Sequence, residues 1–78
     1  MNSQQCNDSK IATLNSEYIE LDKLLTRENL AASGGEAKYL VSQGVVQVNG
    51  EIETRKRRKL YAGDVVTYDN INVRIAEK

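Results

Sequence analysis

The stretch from Ser33 to Gly50, S-G-G-E-A-K-Y-L-V-S-Q-G-V-V-Q-V-N-G, constrains this chain more than any other. It reads as helix start, short helix, stop, strand and hairpin turn, with no residue left over. Ser33 followed three residues later by Glu36 is a capping box: the hydroxyl takes an orphan amide, and the carboxylate returns to the cap's own N–H. Gly34 and Gly35 leave the first turn without side chains, so its amides stay open to approach. Gly44 is a left-handed stop. Val45, Val46 and Val48 begin a strand, and Asn49-Gly50 is the strongest two-residue hairpin signal a sequence offers. The run Arg55-Lys56-Arg57-Arg58-Lys59 follows the hairpin. A helix N-terminus and a dense cationic segment on one small scaffold suggest a phosphate-binding surface.

The 78 residues make one domain near the lower limit for a single apolar core. With no Phe and no Trp, that core must come from Leu, Ile, Val and Ala, helped by some of the four Tyr. Little material is left for a deep pocket, which disfavours a small-molecule substrate. The absence of His excludes an imidazole base, a His-assisted nucleophile and a His-containing zinc site. No acid falls where an apolar pocket would raise its pKa, and no Walker loop is present. The expectation is therefore no enzyme and no cofactor.

The single cysteine, Cys6, cannot form an intramolecular disulfide, which fits a reducing compartment. Neither a charged-then-apolar leader nor an apolar run near 20 residues is seen, so a soluble cytoplasmic protein, with no membrane partner, is expected. Eleven basic residues balance eleven acidic ones. That neutrality alone argues against a nucleic-acid binder, but exposed charges more than roughly 8 Å apart are largely screened at physiological salt. The basic side chains Lys23, Arg27, Lys38 and the five-residue run lie centrally, and most acids lie towards the two ends. The domain is globally neutral and locally basic.

Taken in order, residues 1–9 read as a polar mobile tail and 10–78 as the single domain. Ile11 to Leu14 suit a short strand. Leu21, Leu24, Leu25 and Glu28 share one side of a helix that ends near Asn29, with Lys23 and Arg27 on the other. In the second helix Ala37, Leu40, Val41 and Gly44 face inward, and Gly35, Lys38, Tyr39 and Ser42 face solvent. Lys38 and Tyr39 fit a plain solvated face, but their place above an open helix N-terminus also suits an anion site. Val46 and Val48 alternate with Gln47 and Asn49, and Ile52 continues the alternation beyond the turn. Gly63-Asp64 turns, then Val65 to Tyr68 and Ile71 to Ile75 form strands around Asp69-Asn70. The fold class is α+β, with two short helices packed on a small bent antiparallel sheet.

The basic run is the sharpest signal. Consecutive cations repel unless anions neutralise them, and Lys and Arg against phosphate give affinity through counterion release, with bidentate geometry from Arg. A solvated loop that keeps the domain soluble is the plain alternative, and a localisation signal is a third. The four Tyr could stack on bases but lack the clustering of an RNA-recognition sheet; structural use is expected for at least two. Recognition of folded RNA by shape and backbone needs fewer aromatics and suits this composition better.

Leu21-Asp22-x-Leu24-Leu25, then Ser33-x-x-Glu36-Ala37-Lys38-x-Leu40-Val41-x-x-Gly44-x-Val46-x-Val48-Asn49-Gly50, then Gly63-Asp64, together resemble the S-four domain. That RNA-binding domain was first named for the fourth protein of the small ribosomal subunit. The likeness covers about residues 19 to 69. The Ser33 helix start and the segment Thr54 to Asp64 resemble its small stand-alone bacterial branch, the YaaA/YbcJ-like proteins. The resemblance implies a bent sheet and two helices, an arrangement called the alpha-L motif, presenting a basic face to structured RNA, usually ribosomal or transfer RNA. Two positions depart from the pattern: many members carry Arg where this chain has Glu20 and Gly34.

The expectation is a stand-alone RNA-binding module acting on ribosomal RNA, a ribosomal subunit or an assembly intermediate. Arg55, Lys56, Arg57, Arg58 and Lys59 would grip phosphates. Lys23, Arg27 and Lys38 would extend the track, and the amides after Ser33, at Gly34 and Gly35, would receive one phosphate. The alternative is a protein-interaction adaptor docking an acidic partner in DNA replication or repair.

Overall fold

Asn49 and Gly50 sit at φ 54° and 86°, and Asp69 and Asn70 at 51° and 65°. Both pairs are the left-handed dipeptides that two-residue type I′ turns require. In the computed structural model, which describes residues 8–77, the first pair joins β3 (Gln47–Val48) to β4 (Glu51–Ile52), and the second joins β6 (Val65–Tyr68) to β7 (Ile71–Ala76). The remaining elements are β1 (Asp8–Thr13), β2 (Ile19–Glu20), α1 (Leu21–Arg27), α2 (Gly34–Ser42) and β5 (Lys59–Leu60). A five-stranded sheet runs in the order β1-β7-β6-β3-β4, and β2 and β5 form a separate two-stranded ribbon.

The α+β class and the two helices match the sequence expectation; the sheet is mixed where an antiparallel one was expected. Strand β1 lies parallel to β7, from Asp8 opposite Ile71 to Thr13 opposite Ala76. Parallel partners need a long crossover, and here everything from Leu14 to Asn70 supplies it. Asp8 and Ser9, assigned by sequence to the tail, already belong to β1; the rest of that segment, with Cys6, lies outside the described residues.

Helix α1 ends as its sequence suggests. Asn29 adopts φ 62°, and the amides of Asn29 and Leu30 return to the carbonyls of Thr26 and Leu25 at 3.1 and 2.8 Å, the bond pair of a Schellman motif. Helix α2 starts at the expected cap: Ser33 Oγ accepts from the Glu36 amide at 3.2 Å. The return bond differs by one residue, since the Glu36 carboxylate accepts from the Ala32 amide at 2.6 Å rather than from that of Ser33. Gly44 closes the helix at φ 75°.

The core holds Leu21, Leu24 and Leu25 of α1, Ala37 and Val41 of α2, and Val48, Val66, Val73 and Ile75 from the sheet. Leu60 of β5 is fully buried with them, which seats the small ribbon on the same core. Ile52 breaks the expected alternation and is 63% exposed, because β4 is the sheet's outer strand and ends two residues after the turn. Among the described residues no helix is long and apolar enough to cross a membrane.

Candidate nucleic-acid interface

The segment between Ile52 and Leu60 folds around one carboxylate. Glu53 is buried, with its side chain 8% exposed, and its amide donates to the Val46 carbonyl at 3.0 Å, pinning it to the sheet edge. Its Oε2 accepts from the Arg55 amide and from Arg55 Nε, both at 2.9 Å. Its Oε1 accepts from Arg55 Nη2 at 3.0 Å and from Arg58 Nη1 at 2.7 Å. These charge-assisted bonds, led by the one from the Arg55 side chain, hold the Glu53 carboxyl far below the usual carboxylate range, against the opposing pull of desolvation. The same contacts raise the Arg55 pKa.

Two backbone bonds fasten this loop to helix α1. The carbonyls of Arg58 and Lys56 accept from the Leu21 and Asp22 amides at 2.9 and 3.1 Å. The next amide, of Lys23, goes to Asp22 Oδ1 at 2.9 Å. The first-turn donors of α1 are thus used internally, and the basic run is carried on the helix start as a fixed loop. An open depression there is lined by Arg55, Arg57, Arg58 and Lys59.

The five cations therefore have different situations. Arg55 and Arg58 are ion-paired to Glu53, and Arg58 is half-buried. Lys56 and Arg57 are exposed, with no ion pair among the described residues. Lys59 Nζ lies 4.8 Å from the centroid of the Tyr18 ring, a cation–π distance. The sequence signal presents five equivalent charges; the fold neutralises two of them and leaves three facing outward.

The outlying candidates divide in the same way. Lys23 pairs with Glu20 at 3.6 Å, so its charge is offset locally. Arg27 is turned back on the fold, its Nη2 donating to the Thr13 carbonyl and its Nε 3.8 Å from Glu28. Lys38 is exposed on α2, one turn after Gly34 and Gly35. A side chain on Gly34 would meet nothing within 4 Å, and one on Gly35 only Ser33 Oγ at 3.9 Å. The basic loop sits at the first turn of α1, whereas Ser33, Gly34, Gly35 and Lys38 follow its last turn. The two groups are thus separated along a helix about 10 Å long, and no hydrogen bond or ion pair joins them among the described residues.

Glu53 itself is the residue that charge counting missed, where it stood only as one acid among several. A local pattern signals it: Glu53-x-Arg55-x-x-Arg58 places two guanidinium groups within reach of a carboxylate that follows the apolar Ile52. Asp64 caps its turn as expected, accepting from the Tyr61 amide at 2.9 Å and from Asn49 Nδ2 at 3.1 Å. Asn49 in turn accepts from the Val65 amide at 2.9 Å, which locks the hairpin turn to β6.

Comparison with known proteins places the fold in a family. The S4 domain family matches residues 12–76. YbcJ of Escherichia coli (strain K12) is 40% identical over 58 residues, 74% of this chain and 83% of YbcJ. A Bacillus subtilis (strain 168) protein named "Probable ribosome maturation protein RlbA" is 43% identical over 54 residues, 69% of this chain and 76% of that protein. The solution structure of E. coli YbcJ, described as revealing an alfaL motif involved in RNA-binding, matches with a TM-score of 0.64 and 32% identity, over 97% of this chain and 96% of that one. The overall fold is thus shared with E. coli YbcJ, and the chain is a member of the S4 domain family, similar to YbcJ and RlbA.

Proposed function

We infer that this chain is an RNA-binding module that recognises structured RNA, with ribosomal RNA or a ribosome-assembly intermediate as its target. The observation that carries the reading is the fixed loop Arg55–Lys59, which holds three outward cations and an arginine-lined depression on the start of α1. A preordered loop loses little conformational freedom on binding, so its phosphate contacts weaken less through ordering cost. The family membership, the RNA-binding motif described for YbcJ and the ribosome-maturation name of RlbA support the same direction.

In this reading Lys56, Arg57 and Lys59 contact phosphates directly, and Arg55 offers its exposed guanidinium edge while keeping its bonds to Glu53. Arg58 and Arg27 act by holding the scaffold. Lys23, already paired, contributes weakly. Lys38 and the Gly34 and Gly35 amides after Ser33 form a second, separate contact for backbone phosphate. The protein binds by geometry and charge and performs no chemistry on the RNA.

The test is competition binding of the purified chain to a folded ribosomal-RNA fragment, a single strand of matched length and a DNA duplex. The folded RNA should bind tightest. Equal affinity for all three would remove shape recognition. Negligible binding to all, with nuclease-resistant capture of an acidic protein, would put the adaptor reading in its place.

A further inference from the structure

The ribbon of β2 and β5 pairs Ile19 with Leu60 and Glu20 with Lys59. One step further along, the same antiparallel register places Tyr18 opposite Tyr61. Side chains alternate across a strand, so Ile19 and Leu60 turn to the core while Tyr18, Glu20, Lys59 and Tyr61 share the outer face. The rings confirm that sharing: the Tyr18 and Tyr61 centroids are 6.0 Å apart with planes tilted by 49°, and the Lys59 ammonium lies over Tyr18 at 4.8 Å.

This face joins two surfaces of opposite character. On one side Lys59 is part of the depression it lines with Arg55, Arg57 and Arg58. On the other, Tyr61 borders an open depression with Asn15, Ser16, Glu17 and Glu77. Tyr61 is 45% exposed, and the Lys59 cation caps the neighbouring ring instead of its own. Phosphate-binding cations, an available ring and hydrogen-bond acceptors therefore follow one another across the ribbon. A nucleotide presents the same series: phosphate, a flat base and the base's polar edge.

We propose that Tyr61 is a stacking site for one unpaired nucleotide of the bound RNA, with its phosphate in the arginine depression and an amino-bearing base edge turned towards Glu17 and Glu77. The proposal rests on the RNA-binding reading and adds the feature that the RNA must offer. Charged acceptors on the base side favour guanine, whose N1–H and N2–H₂ donate together, over uracil, which has a single donor on that edge. A fully paired stem has no free base face and leaves the site empty.

Hairpin RNAs that share one stem and differ at a single bulged position (guanine, uracil, abasic or none) provide the test, with the full chain as binder. The guanine bulge should bind roughly tenfold tighter than the abasic and fully paired forms, within the range known for aromatic–base stacking. Tyr61→Ala should remove that preference while leaving affinity for the paired stem unchanged, and Tyr61→Phe should keep it. A 2-aminopurine at the bulge should lose fluorescence on binding the native chain and not on binding Tyr61→Ala; the protein's lack of Trp leaves the signal clean. Circular dichroism checks that the variants fold. Binding that is equal for all four RNAs, or quenching that survives in Tyr61→Ala, overturns the stacking site alone. Loss of binding to every RNA by the native chain overturns the RNA reading beneath it.

Discussion

Replacing Glu53 with Gln tests whether the basic loop is held by one carboxylate. The side chain is 8% exposed and accepts four hydrogen bonds, three from Arg55 and one from Arg58. An isosteric amide keeps the shape, removes the charge and turns a donor towards an arginine that is itself only a donor. A buried charge pair costs about 3–5 kcal/mol to break, but the Arg55 and Arg58 side chains are 74% and 31% exposed and regain water. The loss is therefore nearer to that of one charge-assisted bond, about 2 kcal/mol. For a domain of this size that is a Tm fall of roughly 10 °C, read by circular dichroism at neutral pH.

The sign of the pH dependence follows from the lowered carboxyl. Glu53 loses its proton more readily in the folded chain than at its ordinary value of 4.5. The stabilisation it supplies is fully present above about pH 5 and fades as the pH falls below that ordinary value, by up to about 1.4 kcal/mol per pH unit. The Tm gap between native and Glu53→Gln chains should stay constant from pH 6 to 8 and close by about pH 3. A gap below 2 °C at neutral pH, or one unchanged by acid, would show that the loop does not depend on this carboxylate.

Arg57→Ala and Arg58→Ala should separate binding from scaffold, although they are neighbours: the first weakens RNA binding without moving Tm, and the second lowers Tm by roughly 4–8 °C for about 1 kcal/mol lost. Gly34→Arg adds a cation at a position where a side chain meets nothing within 4 Å; it should fold normally and bind RNA more tightly, with a salt slope steeper by about 0.7–0.9. Ser33→Ala removes the α2 cap and should cost about 1 kcal/mol in denaturant unfolding.

Local signals transferred well from sequence to structure. The Ser33 cap, the Asn29 and Gly44 helix ends and the Asn49-Gly50 and Asp69-Asn70 turns all depend on backbone preferences of one or two residues, and those are written in residue type. What escaped depends on distant partners. Nothing near Asp8 announces a parallel partner at Ile71, because that pairing forms only after the intervening chain has folded. Strands β2 and β5 have two residues each, too few for a period, so the alignment of Tyr18, Lys59 and Tyr61 on one face was invisible. The basic run was legible as charge but not as structure. Its division into held and free cations depends on burying Glu53, which composition treats like any other acid.

The salt dependence of binding to a folded ribosomal-RNA fragment bears most directly on the claim that a fixed cationic loop grips RNA phosphates. With Lys56, Arg57 and Lys59 in contact and Lys38 at the separate second contact, the plot of log K against log salt should have a slope of about −3 to −4. In Arg57→Ala it should become shallower by about 0.7–0.9. A slope near zero, or one that Arg57→Ala leaves unchanged, would contradict that claim.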